Sequence, residues 1–148
     1  MKDKCHLCGV VMQDVNYQLF SDSVESECLL GNIGVTPERA NTVLSEIGLA
    51  ELSNAHPQSL SGGQKQRLAI AVTLVSDKKV LLLDEPTSGL DYKNMMVMSR
   101  LLHQLAQKGV ICIVVTHDME FLQSTCNRCL RLDRNEIRDV SEINTRDL

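Results

Sequence analysis

Two short apolar runs, Val-Leu-Leu-Leu at residues 80–83 and Val-Ile-Cys-Ile-Val-Val at residues 110–115, interrupt a chain whose other hydrophobic residues mostly recur at helical spacing. Each run is too short for a helix and follows a charged or glycine-bearing stretch. Each therefore predicts a strand buried on both faces of a parallel sheet. A third, weaker strand is expected at residues 10–12, and residues 130–132 with 137–140 read as a terminal hairpin, followed by a frayed tail over 141–148.

Between the strands the period changes to about 3.6. Residues 24–30 give a short helix closed by Gly31 and Gly34. Thr36 can cap a second helix with Pro37 at its first position, and Ala40, Val43, Leu44 and Ile47 form its apolar face before Gly48 stops it. Leu68, Ala71, Val72 and Val75 mark a helix over 64–76. A longer stripe of Met95, Met98, Leu101, Leu102 and Leu105 ends before Gly109, with its methionines read as core; Asp118 caps a short helix over 119–124. The alternation of strands and helices predicts an α/β fold, a partial and mostly parallel sheet with a helical subdomain at about residues 20–76.

The polar residues cluster where these elements meet. Ser61, Gly62 and Gly63 open the helix that follows them, and such a turn lets backbone N–H groups approach an anion at the positive end of a helix. An ordinary serine N-cap is the alternative. Asp84 and Glu85 fall at the carboxyl end of the 80–83 strand, where open α/β sheets bind ligands. One such acid can hold magnesium, usually through water, while its neighbour faces another target. Gln13 follows the first strand, and His117 follows the 110–115 strand. His56-Pro57 reads as a docking feature of the connector over 49–59 rather than as chemistry.

Leu-Ser-Gly-Gly-Gln at 60–64, Leu-Leu-Leu-Asp-Glu-Pro at 81–86 and Ser-Gly-Leu-Asp at 88–91 closely resemble the ATP-binding-cassette (ABC) ATPases. Val-Met-Gln-Asp at 11–14, Gln-Leu-Phe at 18–20 and Ser-Val-Glu at 23–25 are similar to the Q-loop region of that family, with the flavour of energy-coupling-factor and cobalt-type importers. The resemblance implies the P-loop NTPase fold, with ATP and Mg2+ as ligands. It implies that Asp84, helped by Gln13, holds magnesium, that Glu85 is general base or water positioner, and that Gln13 and His117 complete the shell around the water and γ-phosphate. Ser61, Gly62, Gly63 and Gln64 would reach across a head-to-tail dimer to nucleotide held by a second ABC ATPase subunit, and Asp91 would couple the two sites. A transmembrane transporter subunit is the other implied partner, which places the chain in the cytoplasm on the inner face of the membrane. The chain would be the later portion of one domain: a Q-loop part over 1–19, a helical part over 20–76 and a catalytic part over 77–148.

Composition narrows the function further. With 43% hydrophobic and 23% charged residues over 148 positions the chain has material for a core, and its net charge of −4 without a basic stripe argues against a nucleic-acid partner. No apolar run approaches the roughly 20 residues of a membrane span. Cys5 and Cys8, and Cys126 and Cys129, have C-x-x-C spacing, which leaves zinc open beside reduced, partly buried thiols.

The phosphate-gripping pattern G-x-x-x-x-G-K-[ST] is absent, since none of the eight glycines is followed by Lys-Ser or Lys-Thr. The early strands of the resembling fold and its adenine-stacking aromatic are missing as well. In that fold the P-loop strand lies beside the strand that ends in the histidine, so residues 110–115 are expected to leave a sticky, unpaired edge, and the strand near Leu130 to lose a neighbour. A truncated reading frame, a split domain or an excised fragment would each account for this. Two functions follow: an ATP-hydrolysing part of an importer, or a non-hydrolysing, regulatory half-site that lends its signature turn to a P-loop-bearing partner. A third, an ABC-type ATPase of DNA repair or chromosome maintenance, is disfavoured by the short interval between Gln13 and Leu60, which holds no sustained heptads.

Overall fold

The computed structural model describes residues 7–133 and 136–140. Three parallel strands, β1 (Cys8–Val11), β2 (Val80–Asp84) and β3 (Ile111–Val115), lie in that order in one sheet. Between β1 and β2 the chain forms three helices, α1 (Val24–Leu29), α2 (Pro37–Glu46) and α3 (Gly62–Leu74). Helix α4 (Tyr92–Gln107) connects β2 to β3, and α5 (Met119–Thr125) follows β3. A separate antiparallel hairpin, β4 (Leu130–Asp133) with β5 (Glu136–Asp139), ends the described chain, all of its residues exposed.

The helices begin and end where local chemistry dictates. Ser23, Thr36, Ser61, Asp91 and Asp118 each accept a backbone N–H as N-cap of α1 to α5 in turn. Gly48 after α2 and Gly109 after α4 take the positive φ of 71° and 86° that a helix exit uses. The stripe of Met95, Met98, Leu101, Leu102 and Leu105 is buried, so the methionines are core as expected.

Register fixes what each face of the sheet carries. Val11, Leu83 and Val114 lie side by side, as do Gly9, Leu81 and Cys112. This face packs under α3, which lies on β1, and α4, which lies on β3. Leu81 and Leu83 are each 1% exposed, a burial that stabilises by about 1.5–3 kcal/mol per side chain. The approach is close enough that a Cβ at Gly9 would stand 2.6 Å from Thr73 Cβ, so α3 sits on β1 only because residue 9 is glycine.

The opposite face departs from the expectation of strands buried on both sides. Val10, Leu82 and Ile113 form a row across all three strands, and Val10, Ile111, Ile113 and Val115 are between 46% and 61% exposed. No described element covers them. Among the described residues strand β3 pairs only with β2, which leaves its outer edge open, in line with the expectation of an unpaired edge at residues 110–115. The first strand also begins two residues before the expected 10–12 and ends one residue before it. Met12 leaves the ladder because its N–H donates to Gln18 Oε1 at 2.8 Å, while Gln18 Nε2 donates to Val10 O at 3.0 Å. One side chain thus takes the place of a neighbouring strand at the outer edge of β1.

Candidate functional site

The carboxyl ends of β2 and β3 meet at a corner built around Glu85. Its N–H donates to Val115 O at 2.8 Å, carrying the ladder one residue past β2. Its φ is +45°, a conformation costing on the order of 1–3 kcal/mol in a non-glycine residue, so the surroundings must hold it. They do so through the side chain. Thr116 Oγ1 donates to Glu85 Oε2 at 2.8 Å, and His117 Nδ1 donates to Glu85 Oε1 at 2.7 Å. The Thr116 oxygen itself accepts the Asp118 N–H at 3.1 Å, which points its hydroxyl proton toward the glutamate.

This pairing sets the charge states. Burial pulls the Glu85 carboxyl upward, but the hydrogen bonds from His117 and Thr116 and the histidine charge outweigh it and hold the group below its ordinary 4.5. The hydrogen bond to Glu85 and its negative charge raise His117 above its ordinary 6.5. With Nδ1 engaged on the carboxylate, Nε2 is left on a ring that is 90% exposed, available to an incoming ligand. Asp118 also accepts from Thr87 Oγ1 at 3.2 Å, tying the loop after Glu85 to the loop after β3.

Asp84 is exposed at the end of β2, and the pleat places it on the bare face of the sheet with Val80 and Leu82. Among the described residues no group of three or more His, Cys, Asp or Glu could hold a metal ion. A single exposed carboxylate nevertheless suits magnesium, which keeps several waters and takes its remaining ligands from phosphate.

The signature turn is assembled differently. Ser61 N–H donates to Gln64 Oε1 at 2.8 Å and Gln64 N–H donates to Ser61 Oγ at 3.4 Å, a reciprocal capping box at the start of α3. Gly62 faces open space, and a Cβ there would meet nothing within 4 Å. Gly63 serves packing instead: a Cβ would stand 3.0 Å from Asn94 Oδ1. Asn94 donates both its N–H and its Nδ2 to Asp91 Oδ1, at 2.8 and 2.9 Å. Asp91 and the signature turn are therefore joined through one asparagine.

Gln13 is exposed and shares a recess of about 390 Å³ with Asp14, Gly62, Lys65, Gln66 and Ser88. Lys65 Nζ donates to Asn16 Oδ1 at 2.8 Å and Gln58 Oε1 at 3.0 Å, and the buried Gln66 Oε1 has no partner. The structure thus brings together Glu85 with His117, Asp91 with Gly63, and Gln13 with Gly62. For a magnesium nucleotide the fit is partial. The acids, the histidine and the open glycine suit it, while the sequence offers no lysine-bearing cradle for its phosphates.

Sequence reasoning passed over Thr87, Asn94 and Glu27, and gave no structural role to Thr116 or to Gln18, which it noted only for its resemblance to the Q-loop region. Glu27 is 2% exposed and its Oε2 accepts the N–H groups of Phe20 and Ser21 at 2.8 and 2.7 Å, leaving Phe20 on the surface. Its signal was an acid between Val24 and Cys28 on an apolar face. His56 is structural: its Nδ1 accepts the Gln58 N–H. Cys5 lies outside the described residues; Cys126 and Cys129 are free and partly buried, and burial pushes the Cys28 and Cys112 thiols up to about 12 and about 11. No helix of the described residues is long and apolar enough to cross a membrane.

Comparison with known proteins agrees with this arrangement. The profile of the ABC transporter family matches residues 3–88. A protein of Treponema denticola assigned as an ABC transporter ATP-binding protein is 48% identical over 128 residues, spanning 86% of this chain and 26% of its own length. The methionine import ATP-binding protein MetN of Protochlamydia amoebophila is 38% identical, over 91% of this chain and 41% of its own. Among solved structures, CbiO1 of Clostridium perfringens, part of the ABC transporter complex CbiONQ, superposes with a TM-score of 0.77 at 34% identity, covering 84% of this chain and 52% of that one. The chain thus spans about half the length of that solved relative, and less of the other two.

Proposed function

The chain belongs to the ABC transporter ATP-binding family, and from that membership we propose that it is the hydrolytic and signature portion of an importer ATPase. The observation that carries this reading is the Glu85–His117 pair, held by Thr116 at the end of two parallel strands with Glu85 in a left-handed conformation. A subunit that only lent a signature turn would have no chemical need of it.

Each side chain then has a task. The Mg-nucleotide, when bound, supplies the phosphoryl group and the cation that neutralises it. Asp84 would help to hold that cation. Glu85, ionised because His117 and Thr116 keep its proton affinity low, orients an attacking water through a lone pair its partners leave unused. His117 Nε2 faces a phosphate oxygen, and the Glu85 charge favours the protonated ring that would donate to it. Gln13 contributes to the same shell. Ser61, the Gly62 N–H and Gln64 face nucleotide held by a second subunit, and Asp91 passes the state of one site to the other through Asn94. The division into a Q-loop part, a helical part and a catalytic part follows these roles, with a membrane-embedded transporter subunit as the docking partner.

A chimera tests this. Residues 7–140 replace the matching segment of the CbiO1 chain, and Mg-dependent phosphate release is measured. Turnover is expected, with Glu85→Gln lowering it by about 10²–10³-fold, the scale for losing a positioned charged group in a preorganised site. A folded chimera that binds nucleotide but never hydrolyses it would leave only the half-site role.

A further inference from the structure

The loop that carries Glu85 and the loop that carries His117 are joined twice, in opposite senses. Thr116 Oγ1 donates to Glu85 Oε2 at 2.8 Å, and Thr87 Oγ1 donates to Asp118 Oδ2 at 3.2 Å. Each loop thus gives one hydroxyl and one carboxylate, two residues apart, and each pair spans 31 residues of chain. The first clasp belongs to the site already described. The second has no task there.

Residues 85–90 make two successive turns, with Ser88 N–H donating to Glu85 O and Leu90 N–H to Thr87 O, both at 3.0 Å. Such turns fix the curvature of a loop but not how it lies against the sheet. Held at the Glu85 carboxylate alone, the loop can pivot about that point, whereas a second hold two residues on fixes its rotation. Among the described residues, Thr87 is where a side-chain hydrogen bond ties residues 86–90 to another segment. Thr87 is 8% exposed, so water has little access to displace that bond. The receiving group is fixed in its turn. Asp118 Oδ1 accepts the N–H of the fully buried Phe121 at 3.0 Å as the cap of α5, which leaves Oδ2 for Thr87.

We propose that Thr87 is a positioning residue: through Asp118 it holds the loop in the rotation that keeps the Glu85 carboxylate on His117. The conformation of Glu85 makes such a hold necessary. At φ +45° the residue relaxes toward negative φ once it is released, and its side chain then swings off Thr116 and His117. The rival account is that Asp118 acts on its neighbour His117 by charge alone, with Thr87 a bystander. The hold is read from the contacts; its effect on hydrolysis rests on the ATPase reading above.

The test uses the whole chain, with the His117 ring nitrogens read by NMR where the ring is neutral. Engaged on Glu85 the ring keeps its proton on Nδ1, and released it loses that preference. Thr87→Val is expected to abolish most of the preference and Thr87→Ser, which keeps the hydroxyl, to restore it. Asp118→Gly, a mild change for a helix cap, removes the same link from the other side and is expected to repeat Thr87→Val, so the outcome does not hang on one variant folding. Asp118→Asn loses the charge but can donate Nδ2 to Thr87 Oγ1, and is expected to keep the Nδ1 form. The proposal is overturned if Thr87→Val and Asp118→Gly leave the wild-type tautomer, or if Asp118→Asn loses it while Thr87→Val does not. In the CbiO1 chimera, Thr87→Val is expected to lower kcat by about 10–10²-fold with KM for Mg-ATP unchanged. A raised KM at constant kcat would overturn the positioning role in turnover. A chimera that never hydrolyses ATP even with Thr87 in place, beside the expected tautomer changes, would count against the ATPase reading and leave the hold on Glu85 standing.

Discussion

The two faces of the central sheet are built from the same residue types and meet opposite fates. Val11, Leu81 and Leu83 are sealed under α3 and α4, while Val10, Ile111 and Ile113, one pleat away, face solvent. A strand exposed on one side ordinarily alternates apolar with polar residues. These strands do not alternate, so their hydrophobic pattern is that of strands covered on both faces. What these strands specify is larger than what the described residues bury.

The sharpest way to break that contrast is to truncate one residue on each face. Leu83→Ala removes packed methyl groups from the covered side and is expected to cost about 2–5 kcal/mol in urea unfolding, whereas Ile113→Ala in the isolated chain should stay within about 0.5 kcal/mol. Equal losses would mean the bare face is already covered in solution, by a second copy or otherwise.

A smaller effect is expected from Glu27→Ala, which strips the shared acceptor from the Phe20 and Ser21 N–H groups and should cost about 1–3 kcal/mol. Limited proteolysis would then open the chain near Phe20. Smaller again is Ser61→Ala, expected to cost about 1 kcal/mol by removing one half of the capping box on α3. An unchanged unfolding midpoint would mean that solvent replaces the cap.

The finest effect concerns the corner where the two faces end. His117 is raised above 6.5, so its share of the pairing is complete below 6.5 and is lost as pH climbs through the raised value. Glu85 is lowered below 4.5, so its share is complete above 4.5 and is lost as pH falls through the lowered value. The pair is therefore fully formed between 4.5 and 6.5. In an NMR titration the His117 midpoint should exceed 6.5 in the wild type and fall back toward it in Glu85→Gln. A midpoint equal in both would show that the contact does not persist in solution.

Helix starts were legible because capping is local: Thr36-Pro37, Ser61 and Asp91 each announce a helix within four residues. The acids and His117 were legible from their place at the ends of apolar runs. The rest depends on contacts between distant segments. Thr116 matters because Glu85, thirty-one residues earlier, turns back on it, and Gly63 has to be small because Asn94 on another helix lies against it. The failure of the both-faces reading has a different origin. An apolar run states that a surface is to be buried, but not whether the same chain does it.

The pairing of β1 with β2 joins residues about seventy positions apart, with α1, α2 and α3 between them, and this bears on the order of events during folding. Strands β2 and β3 need close only the span of α4, so that unit should consolidate first, and β1, although made before either, should be the last of the three to join the sheet. Until it does, Gly9 has no Thr73 to lie against and the Gln13 turn has no fixed address. A chaperone that holds the newborn chain would meet β1 as its longest-lived unpaired strand.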